Sequence, residues 1–213
     1  MKGRRPNLDA HQRQWVHQWW WALQPPERGA ARPEGLLASF DRGTRARLRR
    51  LADPVDLSSE PATLVLAERL IRKGGDRWPL ADEPATYLRL AFVAGILARV
   101  KRDHADGRTL ALHLGQAAQG SDRRVMSETR FKRLQSTRDP SELFLQLQRA
   151  VQLVEATDVA QLADDLLTWQ AERYLSFGRG SDSVRFHWAY DYYLSSGDRS
   201  AARDPVSGKE LNS

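Results

Sequence analysis

The apolar positions of this chain recur at helical rather than strand spacing. Between Asp9 and Leu23, the side chains of Trp15, Val16, Trp19, Trp20 and Leu23 fall on one side of a helical wheel, while Trp21 points nearly the opposite way. That helix is predicted to stop before Pro25-Pro26, because a residue that precedes proline is biased out of the helical region. A second helix is predicted from Arg42 to Ala52, with Leu48 and Leu51 as its buried stripe. The same periodicity places helices at 61–72, 84–102, 109–119, 128–135, 140–156, 159–177 and 184–194. No stretch alternates apolar and polar residues long enough to suggest a sheet. The expectation is an all-α fold of about nine helices, arranged in one or two small bundles.

Several starts are well signed. Pro84 and Pro140 suit a first helical turn, where no amide bond is lost, and Asp139/Glu142 and Asp158/Gln161 have capping-box spacing. The helix from Pro84 is apolar almost all round, through Leu88, Leu90, Phe92, Val93, Ile96, Leu97 and Val100, so it belongs at the centre of its bundle. In the helix from Pro140, Leu143, Leu147, Ala150, Val151 and Val154 line one face. Gly120 to Val125 is polar and Gly-containing, which suggests a division into 9–119 and 126–194; one continuous domain over 9–194 explains the pattern almost as well. Residues 1–8 read as a flexible basic arm, and 195–213, with little to bury, as a disordered tail.

Composition narrows the function classes. The 213 residues are 41% hydrophobic, enough for a real core, and the absence of Cys excludes disulfides, thiolate nucleophiles, thiolate-held zinc and iron–sulfur clusters. The longest strongly apolar run, Leu90 to Ala98, is too short to span a bilayer, so no membrane role is expected and the default location is cytoplasmic. The 33 basic residues exceed the 27 acidic ones by six, and 28 of the 33 are Arg. Arginine presents a planar donor fork suited to phosphate, a preference that solubility alone does not require. The excess is also local, because residues 1–50 hold 11 basic and 4 acidic side chains.

The densest basic segment carries Arg42, Arg45, Arg47, Arg49 and Arg50 within nine residues. Like charges one helical turn apart repel, so such a helix needs anions nearby. Two readings compete: a solvated helix whose arginines pair with carboxylates of other helices, or a strip that contacts nucleic-acid backbone without reading bases. A shorter segment offers Arg130, Lys132 and Arg133, with Phe131 and Leu134 pointing inward, Ser127 as a cap and Glu128 near the positive end of the helix dipole. The aromatic stretch Phe186 to Tyr193 invites comparison with base-stacking surfaces. Its split wheel, with Val184, Trp188 and Asp191 on one side and Phe186, Tyr190 and Tyr193 on the other, favours packing on both sides instead. Trp21, alone on its face, is a candidate protein interface. Catalysis finds little support. The five His show no metal-ligand spacing, Asp164 and Asp165 diverge by about 100° on a helix, and no Gly-rich phosphate loop is present. No enzyme activity, metal or cofactor is expected.

Five segments in order resemble the CasB family, the small subunit of the type I-E CRISPR surveillance complex Cascade. They are Trp19-Trp20-Trp21-Ala22-Leu23, Gly43 to Arg50, Met126 to Leu134, Leu162 to Trp169, and Trp188-Ala189-Tyr190-Asp191-Tyr192-Tyr193. The resemblance runs from about residue 15 to residue 193. It implies an all-helical, non-catalytic subunit, present as a pair, that associates with other Cascade subunits. It also implies a role in holding crRNA and target DNA and in stabilising the displaced single-stranded DNA, while a separate nuclease-helicase cuts. By position, Arg45, Arg47, Arg49, Arg50, Arg130, Lys132 and Arg133 become the implied phosphate-facing residues, with Arg42 at the edge of the first group. Gln135 departs from the pattern, standing where an apolar residue is common. Two rivals remain: a free-standing helical DNA-binding regulator, and a pure assembly subunit whose arginines bind acidic protein surfaces.

Overall fold

The computed structural model describes residues 6–25, 33–74, 80–172 and 180–194. Helix α1 (Ala10–Ala22) begins at a reciprocal cap: the Asp9 carboxylate accepts the Gln12 amide at 2.9 Å, and the Gln12 side chain accepts the Asp9 N–H at 2.9 Å. Val16, Trp19, Trp20 and Leu23 are buried as the wheel predicts, and Trp21 is 40% exposed. A 3-10 turn (Gly35–Ser39) leads to α2 (Arg42–Arg50), which Asp41 caps through the Thr44 amide at 2.7 Å. Then follow α3 (Pro54–Ser58), α4 (Pro61–Gly74), α5 (Pro84–Leu97), α6 (Leu110–Gly115), α7 (Glu128–Ser136), α8 (Pro140–Leu153), α9 (Val159–Glu172) and α10 (Val184–Leu194). No helix among the described residues is long and apolar enough to cross a membrane.

Helix α5 is the axis of the bundle. Its residues from Arg89 to Leu97 are all buried, and α3, α4, α8 and α9 pack around it. One hydrophobic cluster extends from Leu8 through α5 to Tyr192. Contacts cross the Gly120–Val125 segment, since α1 and α5 pack on α9, α5 also on α8, and α6 on α10. Asp139 and Asp158 cap their helices through the amides of Glu142 (2.8 Å) and Gln161 (2.7 Å).

The structure departs from the sequence expectations in identifiable ways. The short α3 was not predicted, being a single turn between loops. Helix α5 ends at Leu97 rather than at Arg102, and Arg102–Asp103 (β1) pairs in parallel with Ala156–Thr157 (β2), a two-residue ladder too short to leave an alternation pattern. Helix α6 stops at Gly115 because Gln116 turns extended and Ala117 bridges Arg124. Ser127 stands at the N-cap of α7 but makes no capping bond with its side chain. Asn7 and Leu8, expected as part of a loose arm, are docked: Leu8 is buried, and the Asn7 and Leu8 amides donate to the buried Asp164 carboxylate at 3.2 and 3.0 Å. Residues 1–5 and the predicted tail at 195–213 lie outside the described residues. In α10, Val184, Trp188 and Tyr192 are buried, and of the second stripe Tyr193 is partly buried beside Phe131, whereas Phe186 and Tyr190 are 40% and 39% exposed.

Aromatic side chains join the last helices. The Phe131 and Tyr192 rings stack at 3.8 Å, the Tyr192 hydroxyl donates to the Met126 carbonyl at 2.7 Å, and the Trp188 indole donates to Asp165 at 2.8 Å. Helices α6 and α10 meet so closely that a Cβ on Gly115 would lie 2.9 Å from the Tyr192 Cα and closer still to its carbonyl oxygen. Gly115→Ala is therefore expected to destabilise the protein by about 1 to 3 kcal/mol, read from denaturant unfolding, because neither backbone can yield.

A second clip joins α1 to β1, where His17 Nδ1 and the Asp103 carboxylate are 2.6 Å apart. The hydrogen bond that His17 donates to the Asp103 carboxylate raises the His17 pKa against the opposing effect of burial. Burial pushes the Asp103 carboxyl up, but hydrogen bonds from His17 and from the Val159 and Ala105 amides outweigh it and leave its pKa lowered. The histidine's share of stability is present below its unfolded pKa and is lost as pH rises through the raised folded value; the aspartate's share is lost on acidification below the ordinary carboxylate range. His17→Gln is expected to lose less stability than the wild type when the pH is raised from about 6 to about 9, as followed by thermal unfolding.

Candidate nucleic-acid interface

The five arginines of α2 divide by what holds them. Arg45 turns into the fold, where its Nε donates to the Ala98 carbonyl at 2.9 Å, one Nη to the Val100 carbonyl at 2.6 Å and the other to the Gln24 side chain at 2.6 Å. The acceptors are carbonyls left over where α5 ends, the negative pole of that helix. Arg99 grips α2 from the other side, donating to the carbonyls of Gly95 at 2.7 Å and Arg49 at 2.6 Å. Burial, and after it the nearby Arg49 guanidinium, push the Arg99 pKa down to about 10 and lower that of Arg45 in the same order. Three guanidinium groups therefore lie close together, and the two inner ones bond to neutral oxygens.

Arg47 is tethered loosely, with Nη2 3.3 Å from the Thr44 hydroxyl and Nε 3.6 Å from the Glu60 carboxylate, and half of its side chain stays in solvent. Arg42, Arg49 and Arg50 are exposed and have no carboxylate partner among the described residues. The negative end of the α2 dipole favours arginines in its last turn, but it offsets only a fraction of one charge. Thus α2 brings together three outward, uncompensated guanidinium groups and spends Arg45 on its own anchorage.

On α7 the local pattern is different. Lys132 Nζ is 2.6 Å from Glu128 one turn earlier, and their hydrogen bond raises the lysine pKa and lowers that of the glutamate. Arg133 reaches Glu142 of α8 at 2.7 Å and holds its carboxyl below the usual range. Arg130 alone of the three predicted cations is exposed and without a carboxylate. It lines a groove between α7 and α8 together with Arg149, which sequence reading missed because it sat as one cation on the polar side of an amphipathic helix. The two basic patches rest on different helices, α2 against α5 and α7 against α8.

The remaining candidates have structural partners. Asp164 accepts from the N-terminal segment and from Arg13 at 3.2 Å, and Asp165 accepts from Gln161 at 2.9 Å as well as from Trp188. No group of three or more metal-ligating side chains capable of holding an ion occurs among the described residues.

The sequence profile of the family described as CRISPR-associated protein Cse2 matches residues 44–193, which include most of α2 and every later helix. The chain belongs to the Cse2 family. The Cse2 protein of Thermus thermophilus is 37% identical over 152 residues, spanning 70% of this chain and 78% of the relative. The crystal structure of a Cse2-family protein from the same organism aligns with a TM-score of 0.54 at 30% identity, covering 85% of this chain and 97% of the other. CasB from Thermus thermophilus aligns over the same shares at 0.52 and 26% identity. A chain of E. coli Cascade, solved bound to a PAM-containing double-stranded DNA target, shares the fold at 0.52 and 21% identity, over 85% of this chain and 93% of its own.

The division among the arginines carries a prediction. Arg45→Ala should cost about 1 to 3 kcal/mol of stability, since buried carbonyls lose their donors, whereas Arg49→Ala should change stability by less than about 0.5 kcal/mol. Urea unfolding of the two variants checks both numbers.

Proposed function

We propose that this Cse2-family chain is a non-catalytic small subunit of a type I-E Cascade complex that binds nucleic-acid backbone without reading sequence. The observation that carries the reading is the set of outward guanidinium groups on α2, Arg42, Arg49 and Arg50, left without carboxylates in a family of CRISPR-associated proteins. Phosphates laid across them would release counterions and supply the anions that the helix lacks. Arg47 contributes through a long ion pair that a phosphate can displace, and Arg130 extends the binding surface on α7. Arg45 is left out of the contact set because its donors are taken, and Lys132 and Arg133 act only where a phosphate outcompetes Glu128 or Glu142.

In this role the subunit helps hold crRNA and target DNA and keeps the displaced single strand from re-pairing. Exchange of a DNA duplex for a guide heteroduplex is nearly balanced in free energy, so backbone contacts of modest strength tip it. The chain works as one of two copies beside other Cascade subunits. Trp21, 40% exposed beside the buried Trp19 and Trp20, supplies a protein contact there.

Replacing Arg42, Arg49 and Arg50 together with Ala should weaken binding to unrelated single strands alike and reduce the slope of log K against log salt by about 2, since each phosphate lost removes about 0.7. Fluorescence anisotropy over a salt series measures it. An unchanged slope in folded protein sinks the reading; a loss confined to one sequence favours a regulator, and a loss of co-purifying subunits without any change in slope favours a pure assembly role.

A further inference from the structure

The groove between α7 and α8 is more than an extension of a charged face. It encloses about 510 Å³, within the range of cavities that hold a small organic group. Its lining is apolar at the buried Met126 and Leu134, which form its floor, and at the exposed Leu153 beside them, and it carries Arg130, Arg133 and Arg149. Among the described residues that line it there is no carboxylate. Arg133 is held by Glu142, but Arg130 from α7 and Arg149 from α8 have no carboxylate partner among the described residues, so two guanidinium groups from different helices line one apolar pit. A solvated basic face would not need that pit, and a pit meant only for an apolar side chain would not need such cations from both helices.

We infer that this groove receives one unstacked nucleobase of a single strand, with the flanking phosphates on Arg130 and Arg149. A planar ring laid on Met126, Leu134 and Leu153 satisfies the apolar lining, while guanidinium forks match phosphate oxygens. The exposed amide of Gln152, also on the lining, is placed for the edge of the base. A duplex keeps its bases stacked inside and leaves the floor empty, so the groove discriminates single from double strands by shape rather than by sequence. This inference rests on the backbone-binding role proposed above and adds a subsite to it.

The test uses the full chain with a fluorescent oligothymidylate, the same strand containing abasic sites, and a duplex of equal length. Leu153→Asn alters the apolar lining at a residue 40% exposed, so folding should survive, which a thermal melt verifies. It should weaken binding of the single strand by up to about fivefold, since the low end of base stacking on an aromatic ring bounds what an aliphatic surface contributes. The abasic strand and the duplex should be unaffected, and the salt slope unchanged. Arg149→Ala should weaken the single strand and lower its slope by about 0.7. Equal losses for normal and abasic strands, or no loss in Leu153→Asn, overturn the base pocket. So does displacement of the strand by polyglutamate as effectively from wild type as from Leu153→Asn, which would mark a site for acidic peptide or for charge alone. In each of these cases the Arg42/Arg49/Arg50 variant still decides separately whether the backbone-binding role stands.

Discussion

The end of α5 is the constraint on which the basic surface depends. From Arg89 onward α5 is buried, and the carbonyls in and just after its last turn that lie in the dry interior need donors. Arg45 reaches in from α2 to the Ala98 and Val100 carbonyls just past the helix, and Arg99 donates to the Gly95 carbonyl within its last turn and out to the α2 backbone at Arg49. Guanidinium suits the task because its donors form a planar fork that keeps its charge even when burial lowers the pKa to about 10, as at Arg99. The same bonds fix the rotation of α2 about its axis. With Arg45 and Leu48 inward, Arg42, Arg49 and Arg50 are left in solvent.

Charge compensation then separates structural from available cations. Lys132, Arg133 and Arg47 each have a carboxylate within 4 Å, so they present little net field to a ligand until that carboxylate is displaced. Arg42, Arg49, Arg50, Arg130 and Arg149 have none among the described residues. Exposed ion pairs contribute little to stability, and their main consequence here is to concentrate uncompensated charge at two places instead of spreading it over both basic helices. On these helices the uncompensated charge falls in two patches, of which one is an open row on a helix and the other borders a groove.

Much of the architecture was legible in the chain. The wheel through Trp15 to Leu23 named both the buried face of α1 and the exposed Trp21, the unbroken apolar run after Pro84 marked the central helix, and the Asp139 and Asp158 caps lie where their spacing put them. These are local matters of periodicity and capping. Where the reading failed, a distant contact intervened. Helix α5 ends early where Arg45 takes the Ala98 and Val100 carbonyls just beyond it, α6 ends at the glycine pressed on Tyr192, and Leu8 is held by a carboxylate 156 residues away. Of the second stripe of α10, Tyr193 is covered by Phe131, while Phe186 and Tyr190 stay largely exposed.

By itself the sequence determined the helical class, the registers of the long helices and which segments concentrate arginine, because each follows from spacing within one or two turns. Only the tertiary structure decided which of those arginines are available. A guanidinium's role depends on the carbonyl or carboxylate that reaches it, and for Arg45 that partner comes from a helix end more than fifty positions away. For Arg149 it is the pairing of α8 with α7 that turns an ordinary polar position into part of the lining of a groove.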